Sequence, residues 1–97
     1  MKIEKEINGS CATLILSGWM DTVNAPLMAA AVDELGTGIS KIILDMSGLE
    51  YMSSAGIRQI IATHKRMDGA LTLKNVPSVI MDVFNTLGLA GKLNIVS

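Results

Sequence analysis

Residues 41–61 read KIILDMSGLEYMSSAGIRQII, and the rest of the fold follows from this stretch. Ile42, Ile43 and Leu44 form a continuous apolar run, the pattern of a strand covered on both faces. Asp45 closes the run, and Ser47-Gly48 has the chemistry of a turn. Tyr51 and Met52 are expected to return the chain to the core. From Ile57 the apolar period becomes helical, with Ile57, Ile60 and Ile61 on one face.

The start of that helix can be placed to the residue. With Ser53 as N-cap, its hydroxyl accepts from the free backbone N–H groups of the first turn. Met52 and Ile57 then occupy the two positions of a hydrophobic staple. This frame puts Ser54 at the first helical position, relieved of capping and directed outward. An anionic group there meets the positive end of the helix dipole, so Ser54 is a hydroxyl that can carry phosphate without melting its own helix. The plainer reading makes both serines caps and nothing more.

Upstream, Lys2–Ile7 alternates weakly, with Ile3 and Ile7 on one face, and Asn8-Gly9 signals a hairpin. The return strand, Cys11–Ser17, places Ala12, Leu14 and Leu16 on one face and Cys11, Thr13 and Ile15 on the other. Gly18 is expected to break this strand, leaving Trp19–Val23 as a connection. Trp19 and Met20 either fold back to cap the sheet edge or belong to a contact surface. Asn24 reads as the N-cap of a first helix, with Pro26 tolerated in its first turn. Leu27, Met28, Ala31, Val32 and Leu35 form the stripe of that helix, and Gly36 and Gly38 stop it.

Downstream, the second helix runs to about Met67 and Asp68-Gly69 ends it. Leu71 and Leu73 mark a strand over Ala70–Lys74. Pro77-Ser78 opens a third helix with the face Ile80, Val83, Phe84 and Leu87, closed by Gly88. Leu93–Val96 is β-branched enough for a last strand. The predicted order is β-β-α-β-α-β-α-β, an α/β fold with one mixed sheet, parallel crossovers and flanking helices. No repeat, linker or low-complexity tract interrupts it, so residues 1–97 are read as a single domain.

Composition narrows the function. Apolar residues make up 49% of the chain and charged residues 18%, which excludes disorder. With 8 basic and 9 acidic residues the net charge is −1, without the basic excess of a nucleic-acid binder. The three aromatics Trp19, Tyr51 and Phe84 are too few for a base-stacking platform. The single Cys11 excludes an internal disulfide and suits a reducing compartment. No apolar run reaches membrane-span length and MKIEKEI lacks a signal-peptide core. A cytoplasmic location is therefore expected.

Catalysis needs convergent groups, and the chain has few. His64, the only histidine, falls on the margin of the helix's buried face, where it reads as a partly packed side chain. One histidine and one cysteine on different elements do not make a metal site. Phosphate-cradling glycine patterns are absent. Asp45 stands where α/β enzymes often place a catalytic acid, but it has no partner base. The seven methionines sit mostly at core-facing positions and read as gap fillers. The expectation is a protein that is not an enzyme. Arg58, Lys65 and Arg66 lie off the apolar face of the second helix, and Arg58 is one turn beyond Ser54, within reach of a phosphate or an acidic partner.

GWMDTVNAP, IILDMSGLEYMSSAGIRQII and VFNTLGLAGKLNIV together resemble the STAS domain, and within it the bacterial anti-sigma factor antagonists. The similarity covers nearly the whole chain in the right order. It implies a small sheet flanked by helices that binds an anti-sigma factor, often itself a serine kinase, and so sets a sigma factor free. It further implies that the kinase phosphorylates a serine at the start of the central helix, which ends binding, and that a serine phosphatase restores it. Carried over by position, the acceptor falls on Ser54. Gly56 matches the small residue that follows, and Asp21 an acidic residue of the neighbouring loop. The implied partner-binding set is Asp21, Thr22, Ser53, Ser54, Ala55, Gly56 and Arg58. Family members commonly carry aspartate before the acceptor and serine after it, where this chain has Ser53 and Ala55. Ser53 is thus a rival acceptor. STAS-like domains also serve as accessory subunits of membrane transporters, and a soluble subunit of an ABC-type transporter is the alternative. A third alternative, a small-molecule or nucleotide sensor, has the Asp21 loop as its only motive. No cofactor or metal is implied.

Overall fold

The computed structural model describes residues 1–96; Ser97, the last residue of the expected domain, lies outside the described residues. The chain forms strands β1 (Lys2–Asn8) and β2 (Cys11–Met20), then helix α1 (Ala25–Glu34), β3 (Lys41–Met52), α2 (Ser54–Arg66), β4 (Leu71–Lys74), α3 (Ser78–Thr86) and β5 (Asn94–Val96). The five strands make one sheet in the order β1-β2-β3-β4-β5. β1 runs antiparallel to β2, and β2, β3, β4 and β5 are parallel neighbours. This is the predicted α/β order with its mixed sheet.

The hairpin turn is Gly9-Ser10, since Asn8 pairs with Cys11. Gly9 has φ +64°, while Ser10 is not among the residues with positive φ. Glycine at the first central position is the requirement of a type II′ turn.

Each parallel strand follows the last through one helix and pairs beside it. Crossovers of one hand that always advance in the same direction lay their helices on one face of the sheet. Burial follows this rule. Ala12, Leu14, Leu16, Ile42, Leu44, Met46, Leu71 and Leu73 lie against the helices and are essentially inaccessible. Cys11, Thr13, Ile15 and Ile43, which point the other way, are only half-buried. The expectation that the Ile42–Leu44 run is covered on both faces is therefore corrected: Ile43 faces the open side.

On the covered side α1 contributes Ala25, Met28 and Val32, α2 contributes Ile57 and Ile60, and α3 contributes Ile80 and Phe84. Leu27 and Leu87, expected in these stripes, are about half exposed. Leu27 lies off the arc of Ala25, Met28 and Val32, and Leu87 is the C-cap beyond the last residue of α3. Ile7 is also exposed, at the turn end of the edge strand. Four of the seven methionines, Met20, Met28, Met46 and Met52, are buried. An Arg66–Asp33 ion pair joins the exposed ends of α2 and α1. No helix among the described residues is long and apolar enough to cross a membrane.

β2 and β3 are longer than expected, and this extension shapes the end of the molecule that carries Asp21, Ser53 and Ser54. Gly18 does not break β2: it takes φ +92° within the strand, which continues to Met20. Nor does β3 end at Asp45. Between the pairs Ile15↔Asp45 and Ser17↔Gly48, β2 supplies Leu16 where β3 supplies Met46 and Ser47. Between Gly18↔Leu49 and Trp19↔Tyr51, β3 supplies the additional residue Glu50. These two bulges raise the local twist and re-aim side chains, a device uncommon between parallel strands. The expected turn at Ser47-Gly48 is thus a bulged strand. Gly48 serves a close approach there, since a Cβ on it would lie 2.7 Å from the Cβ of Ser17.

Candidate functional site

The site is built where β2 and β3 end and α2 begins. Ser53 has extended backbone dihedrals, φ −86° and ψ 174°, and its hydroxyl accepts from the backbone N–H of Gly56 at 3.4 Å. This is the N-cap expected for Ser53, at the long end of hydrogen-bond range. Met52 and Ile57, the staple pair, are both buried in the core. Ser54 is the first residue of α2 and is exposed, with no side-chain hydrogen bond among the described residues.

The backbone N–H of Ser53 donates to the carbonyl of Met20 at 2.9 Å, so the helix start is fixed to the end of β2. Gly56 rests on the same carbonyl. A Cβ there would lie 2.9 Å from Met20 O and 2.8 Å from Met52 Cγ. The first turn of α2 can approach β2 this closely only because residue 56 has no side chain.

Asp21 follows Met20 directly. Its Oδ1 accepts from the Asn24 backbone N–H at 2.9 Å, and its carbonyl accepts from Ala25 N at 2.8 Å. Asp21 therefore orders the turn into α1. Asn24, expected as the N-cap, makes no side-chain cap bond and has helical dihedrals. Its amide donates instead to the Trp19 carbonyl at 3.2 Å. The Asp21 loop is thereby folded back over the end of β2.

Of the candidate residues, Asp21, Ser53 and Ala55 are half-buried, Gly56 is buried, and Thr22, Ser54 and Arg58 are exposed. Met20 links the Asp21 loop to the start of α2. Arg58 lies one turn beyond Ser54 on the same helix and forms no ion pair among the described residues. No acidic residue stands in the first turn of α2, whereas His64, Lys65 and Arg66 fill its last turn. The positive end of the helix dipole is thus left without a counter-charge at Ser54.

Asp45 is not part of this group. Its Oδ1 accepts from Ser47 N at 3.1 Å and from Asn75 Nδ2 at 3.2 Å, holding the first bulge to the loop after β4. Burial pushes its carboxyl up, but the Ser47 and Asn75 hydrogen bonds and the Lys74 charge outweigh this and leave it below the ordinary carboxylate range. Half-buried His64 lies in the last turn of α2, at the far end from Ser54.

Reasoning from the sequence missed the aromatic pair beside the site. Trp19 and Tyr51 are register partners, their ring centroids are 5.1 Å apart and the rings are tilted by 41°. Both are largely exposed, at 54% and 44%, so Tyr51 does not return to the core as expected. Met20 does, and is fully buried. Met20 thus takes the packing alternative, and Trp19 does not fold back into the core. The missed signal was the spacing within LEYM: Leu49 and Met52 are buried with Glu50 and Tyr51 exposed between them, which strict alternation cannot give and a bulge can.

The STAS domain family model matches residues 2–97. No curated protein sequence matches this chain. Among solved structures, SpoIIAA, an anti-sigma factor antagonist, in its unphosphorylated form aligns with TM-score 0.83 and 17% identity over 99% of this chain and 89% of that one. The Bacillus cell fate determinant SpoIIAA in its phosphorylated form aligns with TM-score 0.76 and 17% identity over 99% and 92%. An anti-sigma factor antagonist from Mycobacterium paratuberculosis gives TM-score 0.86 and 18% identity over 97% and 83%. At these identities the likeness is one of fold.

Proposed function

This chain belongs to the STAS domain family, and from that premise we propose that it acts as an anti-sigma factor antagonist. Its partner is an anti-sigma factor with serine kinase activity, and the docking surface is the first turn of α2 with the Asp21 loop. The observation that carries this reading is the division of labour between the two serines. Ser53 is spent on the cap, and Ser54 stands exposed at the first helical position with no side-chain hydrogen bond among the described residues. The existence of SpoIIAA in phosphorylated and unphosphorylated forms of the same fold supports a modification that leaves the fold intact.

The switch transfers the γ-phosphoryl group of ATP to the Ser54 hydroxyl. A bond forms from Oγ to phosphorus, ADP leaves, and the hydroxyl proton passes to a base on the kinase. A serine phosphatase reverses this with water, releasing inorganic phosphate. Phosphate adds about −1.5 to −2 charges and three acceptor oxygens. The uncompensated amides of the α2 N-terminus accommodate it. A partner surface fitted to a neutral hydroxyl must instead bury a dianion beside Asp21. Each ~1.4 kcal/mol of mismatch weakens binding about tenfold, and like-charge contacts cost several kcal/mol. Release then requires no large movement. On this reading the protein acts by binding and hydrolyses neither ATP nor GTP.

Titration calorimetry of wild type, Ser54→Ala and Ser54→Asp against a recombinant anti-sigma factor kinase from the same genome tests the reading, with phosphosite mapping after ATP is added. Wild type and Ser54→Ala should bind, Ser54→Asp should bind at least tenfold more weakly, and phosphate should map to Ser54. Equal binding of Ser54→Asp with no phosphate on Ser54 or Ser53 overturns the switch. Stable association with an ABC-type ATPase instead would replace it with the transporter-subunit reading.

A further inference from the structure

Two of the three aromatic residues of this chain are kept out of the core. Phe84 is fully buried on the inner face of α3, whereas Trp19 and Tyr51 pack against each other, largely exposed, at the bulged ends of β2 and β3. Rings that lie half exposed forgo the burial that drives folding. The Glu50 bulge is what turns Tyr51 outward to meet Trp19. Val23, the most exposed large apolar side chain at 81%, lies in the adjoining loop, which Asn24 fastens to the Trp19 carbonyl. The patch has a polar rim: Asp21 and Glu50 form no ion pair among the described residues, and Thr22 is exposed.

An aromatic centre within a polar rim is the anatomy of a binding hot spot. A second apolar row, exposed Val79 and half-buried Val83 on α3 with exposed Leu87 at its C-cap, lacks this arrangement. It has no aromatic member and no junction with the α2 start. The Trp19–Tyr51 pair does have that junction, because Met20, next to Trp19, carries the carbonyl that receives Ser53 N.

We propose that the Trp19–Tyr51 pair is the affinity anchor for the same anti-sigma factor, which sets an aliphatic or methionine side chain on the two rings and directs hydrogen-bond donors at the Asp21 and Glu50 carboxylates. This rests on the docking reading above and divides the surface into two parts. The ring pair supplies affinity regardless of modification, and Ser54 supplies the switch. The donors answer rim carboxylates that form no ion pair among the described residues, and the apolar knob answers the one aromatic pair in contact among the described residues.

The test measures binding of the recombinant anti-sigma factor kinase to wild type, Trp19→Ala, Tyr51→Ala, Trp19→Phe and Leu87→Ala, with the fold of each variant checked by thermal denaturation. Trp19→Ala and Tyr51→Ala should weaken binding about thirtyfold or more, the range of hot-spot truncations. Trp19→Phe should recover most of the loss, and Leu87→Ala should bind as wild type. Because Trp19 is the only tryptophan, chain grown with 5-fluorotryptophan gives a single fluorine resonance that reads the site without mutation, and this resonance should shift on binding. If both alanine variants bind like wild type, or the resonance stays in place, the anchor is overturned while the Ser54 switch stands. If Trp19→Ala loses binding and Ser54→Asp does not, the anchor stands and the switch fails. If wild type binds no such kinase, both fall.

Discussion

The carbonyl of Met20 receives the backbone N–H of Ser53 at 2.9 Å. Through this bond the last residue of β2 holds the residue that caps α2, and the Asp21 loop and the α2 start become one surface. The arrangement depends on Gly56, which lies over the same carbonyl.

Gly56→Ala should therefore destabilise the protein although alanine is the better helix former. Propensity favours alanine by about 1 kcal/mol. The new Cβ would lie 2.9 Å from Met20 O, a backbone atom that cannot swing aside, and 2.8 Å from Met52 Cγ. Overpacking of this kind costs about 1–3 kcal/mol, so the net loss ranges up to about 2 kcal/mol. Gly38→Ala, where a Cβ meets nothing and φ is not positive, should be neutral or slightly stabilising. Urea denaturation of the two variants gives the comparison, and a stable Gly56→Ala would show that α2 can lift off β2.

Ser53→Ala should cost about 0.5–1 kcal/mol, the lower part of the N-cap range, because the Oγ to Gly56 N–H bond is long at 3.4 Å. Ser54→Ala should change stability by a few tenths of a kcal/mol at most, since Ser54 is exposed and its hydroxyl makes no hydrogen bond among the described residues. Chemical denaturation ranks the pair. The reverse order would mean that Ser54 is the cap and Ser53 the free hydroxyl, and the acceptor would move with it.

Most of the fold was legible because its signals are local. The hydrophobic periods of Ala12–Leu16 and Ile57–Ile61, the Met52–Ile57 staple and the Ser53 cap all depend on residues within a turn or two of one another. The α2 frame was recovered to the residue for this reason. What was misread depends on neighbours distant in sequence. Gly18 and Gly48 read as breakers, yet Gly18 lies in a strand at φ +92° and Gly48 admits Ser17 of the neighbouring strand. Whether a glycine ends a strand or lets another backbone approach is settled by the partner strand. Asn24 read as a cap by residue type, but Asp21, three residues earlier, had already ordered the turn. The aromatic pair required the register of β2 against β3, which composition does not contain.

Asp45 should give the protein an acid-sensitive limb. Its folded pKa is lowered, so its charged form is favoured in the native state. The stability this contributes is fully present above the unfolded carboxylate value of about 3.9 and is lost as pH falls through the lower folded value. Asp45→Asn keeps an Oδ1 acceptor for Ser47 N–H but cannot titrate. Denaturation midpoints from about pH 6 down to about pH 2.5 should therefore fall less steeply for the variant below about pH 4. Parallel curves would show that the limb belongs to other carboxylates.

Ser54→Asp should leave the fold as stable as wild type or slightly more so. The first turn of α2 has no acidic residue, while its last turn already carries His64, Lys65 and Arg66. An aspartate at the first helical position would supply the missing counter-charge, worth about 0.3–1 kcal/mol at low ionic strength. Arg58, four residues on, adds the spacing of a favourable helix pair, about 0.2–0.5 kcal/mol. Both terms involve exposed groups and fade with salt. The melting temperature of Ser54→Asp should thus equal or exceed that of wild type in dilute buffer and converge on it near 1 M salt. This outcome is what lets charge at residue 54 act on a partner alone, since a switch that melted α2 would also scatter the Asp21 loop that Met20 holds beside it. A loss of stability greater than about 1 kcal/mol at either salt concentration would mean that the Ser54 hydroxyl is structural, and release of the partner would then have to proceed through local unfolding.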